Sequence, residues 1–447
     1  MRRWAIGLLA CVCACSSDTA PVHPGPSVIF ISIDTLRADH MGAYGYERDT
    51  TPNLDRLAAE SVRFERAYTT MSFTLIAHMG MLTGLYPSQH KVWNVDSVLP
   101  TSVPTLAQRL QAEGFYTLGL YRPHWLNPRF GYGRGFDVYE PHENAAQADA
   151  HLERYFARRP LDRPFFLFVH LFDVHNVPME PGGNRIYGPP APYDRMFLED
   201  APERLANIDA NRLWEESAIG VGPAVHEAIV AQYDGCVRYV DDMLGRWLAR
   251  WRESGVLDDC IVIVTSDHGE GLAQRYGDPY KGHGQLFEEG LRVPLLVRYP
   301  GAEFAGQRDE RVVSQVDLVP TLLERLGLAP DARLPGASLL SELPEGRTLY
   351  AGDRWHEALI RWPLKVVQER GATEGKAFDL EVDPREERSI RTERGLDAFL
   401  EAAGPLREAA EQQRSSWFAP AQDGQAQPLD ARALEELRAL GYSGEDH

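Results

Sequence analysis

Two apolar runs in this chain end in acids, and a third segment places a hydroxyl at the start of a helix. "VIFISID" ends at Asp34, and "IVIVTSDHGEG" ends at Asp267 followed by His268. Ligands in open α/β sheets bind beyond the carboxyl ends of the strands, so these side chains are candidates for one pocket. Two carboxylates and one imidazole suit a divalent cation. An Asp alone at a strand end is commonly a turn or cap residue, so Asp34 gains meaning only beside the other two. The segment "SFTLIAHMGMLTGLYP" reads as a helix that begins at Thr74 and ends near Gly84. A hydroxyl there is either an N-cap or a nucleophile at a helix start that gathers anions.

The surrounding pattern is that of a scaffold able to hold such groups. "SVIFISID", "PFFLFVHLFD", "CIVIVTSD" and "VPLLVRYP" are short, continuously apolar runs, as strands buried on both faces of a parallel sheet would be. Helical patterns lie between them. "TPNLDRLAAESV" opens with Thr51 as a cap and Pro52 in the first turn. "PTLAQRLQAEG" stops at Gly114, and a long amphipathic run from Ala224 stops at Gly255, its Trp and Tyr residues reading as core. The expected fold is α/β, a mostly parallel sheet sandwiched by helices. Residues 345–447 read as a smaller C-terminal α+β domain with an antiparallel sheet, helical "GLDAFLEAAGPLREAAEQQ" and a last short helix, "ARALEELRALGY". The Pro- and Gly-rich stretch 176–223 breaks the alternation and reads as a lid. His170, inside an apolar strand, reads as a core residue.

The chain has 447 residues, 44% of them hydrophobic, and a net charge of -19, which argues against a nucleic-acid partner. Cys236 and Cys260 read as two buried thiols, since their spacing fits neither a metal site nor a disulfide framework. The start, "MRRWAIGLLACVCACSSD", has a basic pair and an apolar run too short to span a bilayer, as an export signal does. It resembles a bacterial lipoprotein signal. Residues 1–15 are the expected signal, Cys15 the lipidated residue and 16–27 a tether to the membrane, placing the chain in the periplasm or on the outer membrane.

"ISIDTLRADHMGAYGYERDTTPNLDRLA", "LTGLYPSQH", "FVHLFDVH", "VIVTSDHGEG" and "LFEEGLRVPLLVRYPG" together resemble the sulfatase family of the alkaline phosphatase superfamily, in order and spacing. The resemblance implies a catalytic domain over 28–344 with an alkaline-phosphatase-like fold. It also implies one divalent ion, Ca, Mn, Zn or Mg, on Asp34, Asp267, His268 and Thr74. His175 and His283 fall where the family keeps basic groups near the transferred group and the leaving oxygen; many sulfatases have a lysine at the latter position. The family's nucleophile is a cysteine in Cys-x-Pro-Ser-Arg, oxidised to formylglycine. Here Thr74 takes that place and His78 that of the arginine, so no formylglycine is expected. Thr35 replaces the family's second adjacent Asp. Arg122 or His124 stands in the region of a missing Gly-Lys-Trp-His block.

Thr74, Asp34, Asp267 and His268 also resemble the threonine-nucleophile branches of the superfamily. The expectation is a hydrolase of sulfate, phosphate or phosphonate esters acting on an anionic glycan, lipid or small molecule. Thr74, His175 and His283 would be catalytic, and His78 and Arg122 would bind substrate. Two alternatives stand beside it: a phosphoryl head-group transferase, and an inactive homologue that binds anions.

Overall fold

A computed structural model of the protein describes residues 25–175, 187–198, 222–275 and 283–415. The expectations for the signal, Cys15, most of the tether and the final helix lie outside these residues, as does most of the expected lid. Among the described residues, no helix is long and apolar enough to cross a membrane.

The main sheet is built from β1 (Ser27–Ile33), β2 (Val62–Tyr68), β3 (Tyr116–Tyr121), β4 (Val138–Pro141), β5 (Phe165–Leu171), β6 (Cys260–Thr265), β7 (Arg292–Val293), β8 (Leu295–Arg298) and β9 (Arg308–Ser314). Their order is β4-β3-β5-β1-β6-β8-β2-β7, with β9 paired to β2. The strands from β4 through β6 are all parallel. The "VPLLVRYP" run departs from the parallel expectation, because β8 lies antiparallel to both β6 and β2. A run buried on both faces looks the same in either direction, so composition alone does not fix its polarity.

Alternate residues of the central strands enter two different cores, as the period of two demands. Val28, Phe30, Phe166, Phe168, Ile261 and Ile263 join Leu75 and Met79 of helix α2 (Thr74–Thr83) in one. Ile29, Ile31, Leu167, Val169, Val262 and Val264 join Tyr233 and Trp247 of the long helix Pro223–Glu253 in the other. The helices therefore cover both faces. Cys236 and Cys260 are buried free thiols.

Helix α1 (Pro52–Ala59) is capped differently from the sequence expectation. Thr51 makes no side-chain cap bond and its hydroxyl donates to Asp55. Asp241, on the long helix, accepts from the backbone N–H groups of Asn53 and Leu54 instead, at 2.9 and 2.8 Å. Orphan donors of a helix start need an acceptor, and a tertiary carboxylate supplies it.

A second, antiparallel sheet follows in the order β10 (Leu349–Gly352), β11 (His356–Arg361), β12 (Leu364–Glu369), β13 (Gly375–Asp379). Leu349, Ala351, Ala358 and Ile360 share the first core, while Leu359 and Val366 pack with Phe399 and Leu406 of the helix Leu396–Ser415.

Candidate active site

Four segments meet at the carboxyl ends of β1, β5 and β6. Asp34 follows β1 directly, and its N–H donates to the Leu171 carbonyl at 2.8 Å. Asp267 and His268 follow β6, and Asp267 Oδ1 accepts from the N–H of His268 at 2.9 Å and of Thr35 at 3.3 Å. Thr74 arrives from the other side on α2. Asp34, Thr74, Asp267 and His268 are all fully buried.

Thr74 is the first residue of its helix, and Phe73 is the N-cap. Its hydroxyl makes no cap bond. It lies 3.2 Å from His268 Nε2 and 3.5 Å from Asp34 Oδ2. His268 Nε2 is in turn 3.4 Å from Asp267 Oδ2. His268 Nδ1 lies 2.8 Å from the Gly269 carbonyl, which only accepts, so the proton belongs on Nδ1 and Nε2 is left bare. Gly269 is required beside it. A Cβ there would meet the Glu289 carbonyl oxygen at 2.0 Å.

The two carboxylates have opposed environments. Burial, and then the charge of Asp267, push Asp34 well above the usual carboxylate range. Burial acts the same way on Asp267, but the adjacent His268, through its ring and its backbone N–H, holds that carboxyl low. Asp34 Oδ1 and Asp267 Oδ2 are buried with no hydrogen-bond partner among the described residues. Asp34, Asp267 and His268 bring donor atoms within 4.8 Å of one another. Two acids whose inner oxygens lack donors, facing a bare imidazole nitrogen, fit a divalent cation.

His175 and His283 form the adjoining wall, with ring centroids 5.0 Å apart, and His283 lies equally far from His268. His175 stacks on Phe172 at 4.2 Å, and both its nitrogens are buried without a hydrogen-bond partner among the described residues. Burial, then the neighbouring His283, hold it neutral, well below the usual imidazole range. Glu270 was not anticipated from sequence. Its carboxylate is buried, with His283 Nδ1 at 3.8 Å from Oε1.

His78 and Arg122 differ from expectation. His78 lies beside Asp267, its Nδ1 3.5 Å from Oδ2, with both ring nitrogens hydrogen-bonded to other groups. Nδ1 donates to the Thr74 carbonyl and Nε2 accepts from Ser32 Oγ, both at 2.9 Å. Burial lowers its pKa to about 3, so it stands in the arginine's position without the arginine's charge. One turn after Thr74 on the same helix face, its ring tilts back toward the Thr74 carbonyl. Arg122 follows β3, pairs with Glu143 and lies 5.7 Å over the Phe172 ring. It reaches the site through its field, which helps keep His175 and His170 neutral.

His170 is a correction. It is buried, but β5 runs in register with β1 so that His170 pairs with Ser32, and its Nε2 lands 3.0 Å from Asp34 Oδ2. The signal was present in the sequence: one imidazole in an otherwise apolar strand of the sheet that carries Asp34.

The sulfatase family profile matches residues 26–328. The chain belongs to the sulfatase family. Among curated relatives of this sulfatase-family protein, an arylsulfatase of Clostridium perfringens is 24% identical over 444 residues, covering 81% of this chain and 89% of that one. The multifunctional alkaline phosphatase superfamily protein PehA of Trinickia caryophylli is 28% identical over 415 residues, covering 72% and 77%. Among solved structures, the phosphonate monoester hydrolase of Agrobacterium radiobacter superposes with a TM-score of 0.69 at 24% identity, covering 87% of this chain and 96% of that one. That likeness confirms the alkaline-phosphatase-like fold. Members of the family use a divalent metal, and the Asp34, Asp267 and His268 cluster provides donors for one.

Proposed function

We propose that this sulfatase-family protein is a metal-dependent ester hydrolase in which Thr74 is the nucleophile, acting on phosphonate, phosphate or sulfate esters. The reading is carried by one observation: the Thr74 hydroxyl, buried at a helix start, points at Asp34 and His268 and not at its own backbone. Sulfatase and phosphonate monoester hydrolase relatives support the reaction class.

Asp34, Asp267, His268 and Thr74 would hold the cation. When bound, it lowers the pKa of the hydroxyl beside it and offsets charge on the transferred group. Thr74 Oγ1 loses its proton to solvent and attacks phosphorus or sulfur, while the bond to the leaving oxygen breaks. The start of α2 turns backbone N–H groups toward the anion. His175 and His283 line the wall beside the leaving oxygen, which takes up a proton from solvent. Water then attacks the same centre, freeing the acid and restoring the hydroxyl. Formylglycine hydrate expels sulfate by collapsing to an aldehyde, and threonine has no such route. Direct displacement at the central atom is required, which places phosphonate and phosphate esters ahead of sulfate.

The protein is also proposed to be exported and anchored by a lipid on Cys15, on the strength of the basic, apolar and small-residue pattern before it. The test of function is a panel of aryl phosphonates, phosphate mono- and diesters and sulfates with wild type and Thr74→Ala. Turnover undiminished in Thr74→Ala would remove it from the nucleophile role.

A further inference from the structure

We infer that His170 is a further ligand of the metal centre, replacing from the neighbouring strand the donor that Thr35 lacks; this rests on the metal-dependent reading of the same site. Two sets of side chains bring their donor atoms within 4.8 Å of one another, Asp34–Asp267–His268 and His78–His170–Asp267, and they share Asp267. The second set adds two imidazoles. Those of His78 are accounted for, one nitrogen by Ser32 and the other by the Thr74 carbonyl. His170 is different. Its Nδ1 is buried with no hydrogen-bond partner among the described residues, and its Nε2 faces Asp34 Oδ2 at 3.0 Å. That spacing suits two donors on one ion as well as it suits a hydrogen bond. The carbonyl of His170 is fixed by the His142 ring at 2.8 Å, which steadies the backbone behind it.

Thr35 explains why a strand interior carries an imidazole here. Its φ of 57° puts it in the left-handed region, and its carbonyl is tied to Tyr233 by a 2.7 Å hydrogen bond. Its own hydroxyl is buried without a partner among the described residues. Register then brings His170 to Asp34 Oδ2, the oxygen that Thr74 also faces, because Ser32 and His170 are paired and Asp34 lies two residues beyond. A ring nitrogen binds an ion through its lone pair, so ligation through Nε2 places the ring proton on Nδ1. The resulting set, two carboxylates, two imidazoles and an alcohol, balances a divalent charge. It also selects borderline transition ions such as Zn²⁺ and Mn²⁺ over Mg²⁺ and Ca²⁺.

The experiment measures affinity for Zn²⁺, Mn²⁺ and Mg²⁺ by competition with a chelating dye. Wild type, His170→Leu, His170→Asn and Asp267→Asn are compared, with metal content read by elemental analysis. Both His170 variants are expected to lose at least about 10-fold in Zn²⁺ and Mn²⁺ affinity while Mg²⁺ changes little, collapsing the selectivity ratio. A residue with only a packing role would weaken all ions alike, so an unchanged Zn²⁺/Mg²⁺ ratio overturns the inference. X-ray absorption at the zinc edge of the wild-type protein needs no variant: two imidazoles per ion support it, and one overturns it. If wild type retains no stoichiometric ion and Asp267→Asn behaves identically, the metal-dependent reading itself has failed.

Discussion

Lys365, fully buried on β12 of the second sheet, pairs with Glu288 at 3.0 Å, five residues beyond His283. Its other partner is Glu386 at 2.9 Å. Glu386 also accepts from the Glu288 N–H at 2.7 Å, and Glu288 accepts from Tyr68 at 3.1 Å. One ammonium thus ties the antiparallel sheet to the segment that carries His283. Lys365→Met leaves Glu288 and Glu386 facing each other with Arg275, 3.5 Å from Glu386, as the remaining cation. Removing one partner of such a cluster costs about 3–5 kcal/mol. Urea titration should show that loss, and turnover measured on the fraction still folded should fall as well, because His283 loses its anchor.

Thr74→Ala separates the two roles open to a hydroxyl at a helix start. An N-cap removed costs about 1 kcal/mol of stability and leaves chemistry intact. Thr74 makes no cap bond, so its loss should move the denaturation midpoint little while turnover falls by about 10³-fold or more, the scale set by losing a nucleophile. Thr74→Ser keeps the oxygen and should keep measurable turnover. A large midpoint shift with activity retained would reverse the assignment.

Strand ends and helix starts were legible in the sequence because each has a local cause. Asp34, Asp267 and His268 follow apolar runs, and Thr74 opens one that ends at a glycine with φ of 73°. What escaped was set by pairing between distant segments. His170 looks like core until the β1–β5 register is known, since a one-residue slip would turn it to the opposite face. His78 looks exposed to substrate until the axis of α2 is placed. Thr51 looks like a cap until Asp241, 188 residues beyond Asn53 in sequence, takes the helix-start N–H groups. In each case the residue type was visible and its partner was not.

Gly269→Ala should damage the site without touching any polar group. The added Cβ would meet the Glu289 carbonyl at 2.0 Å, a backbone atom with no freedom to swing aside. The Gly269 N–H also donates to the Gly290 carbonyl at 2.9 Å, so the two chain segments are pinned together there. Forcing them apart is expected to cost about 1–3 kcal/mol. Because Gly269 O holds the His268 ring, divalent-ion affinity should fall further than in a variant of equal stability made elsewhere in the core. Paired thermal melts and dye-competition titrations make the comparison.

Asp173 supplies a pH dependence whose sign runs against the usual one for a carboxylate. Both its oxygens accept from the N–H of Ala145 at the start of the helix Ala145–Arg158, at 3.1 and 3.0 Å. Burial nevertheless pushes its pKa up to about 6, more than the Ala145 bond and the charge of Arg122 pull it down. The unfolded chain titrates near 4, so between about pH 4 and 6 the folded state binds the extra proton. The stabilising contribution of this group is therefore complete below about pH 4 and is lost as pH rises through about 6, amounting to about 3 kcal/mol. Asp173→Asn keeps an acceptor for Ala145 and has nothing to ionise. Its stability relative to wild type should climb across that interval and level off above about pH 7. Denaturant melts of both proteins at intervals from pH 4 to 8 read this difference directly, with the other titrating groups cancelling between them. A flat difference would mean that the Asp173 carboxyl titrates normally in the fold, with the start of that helix compensating its burial in full.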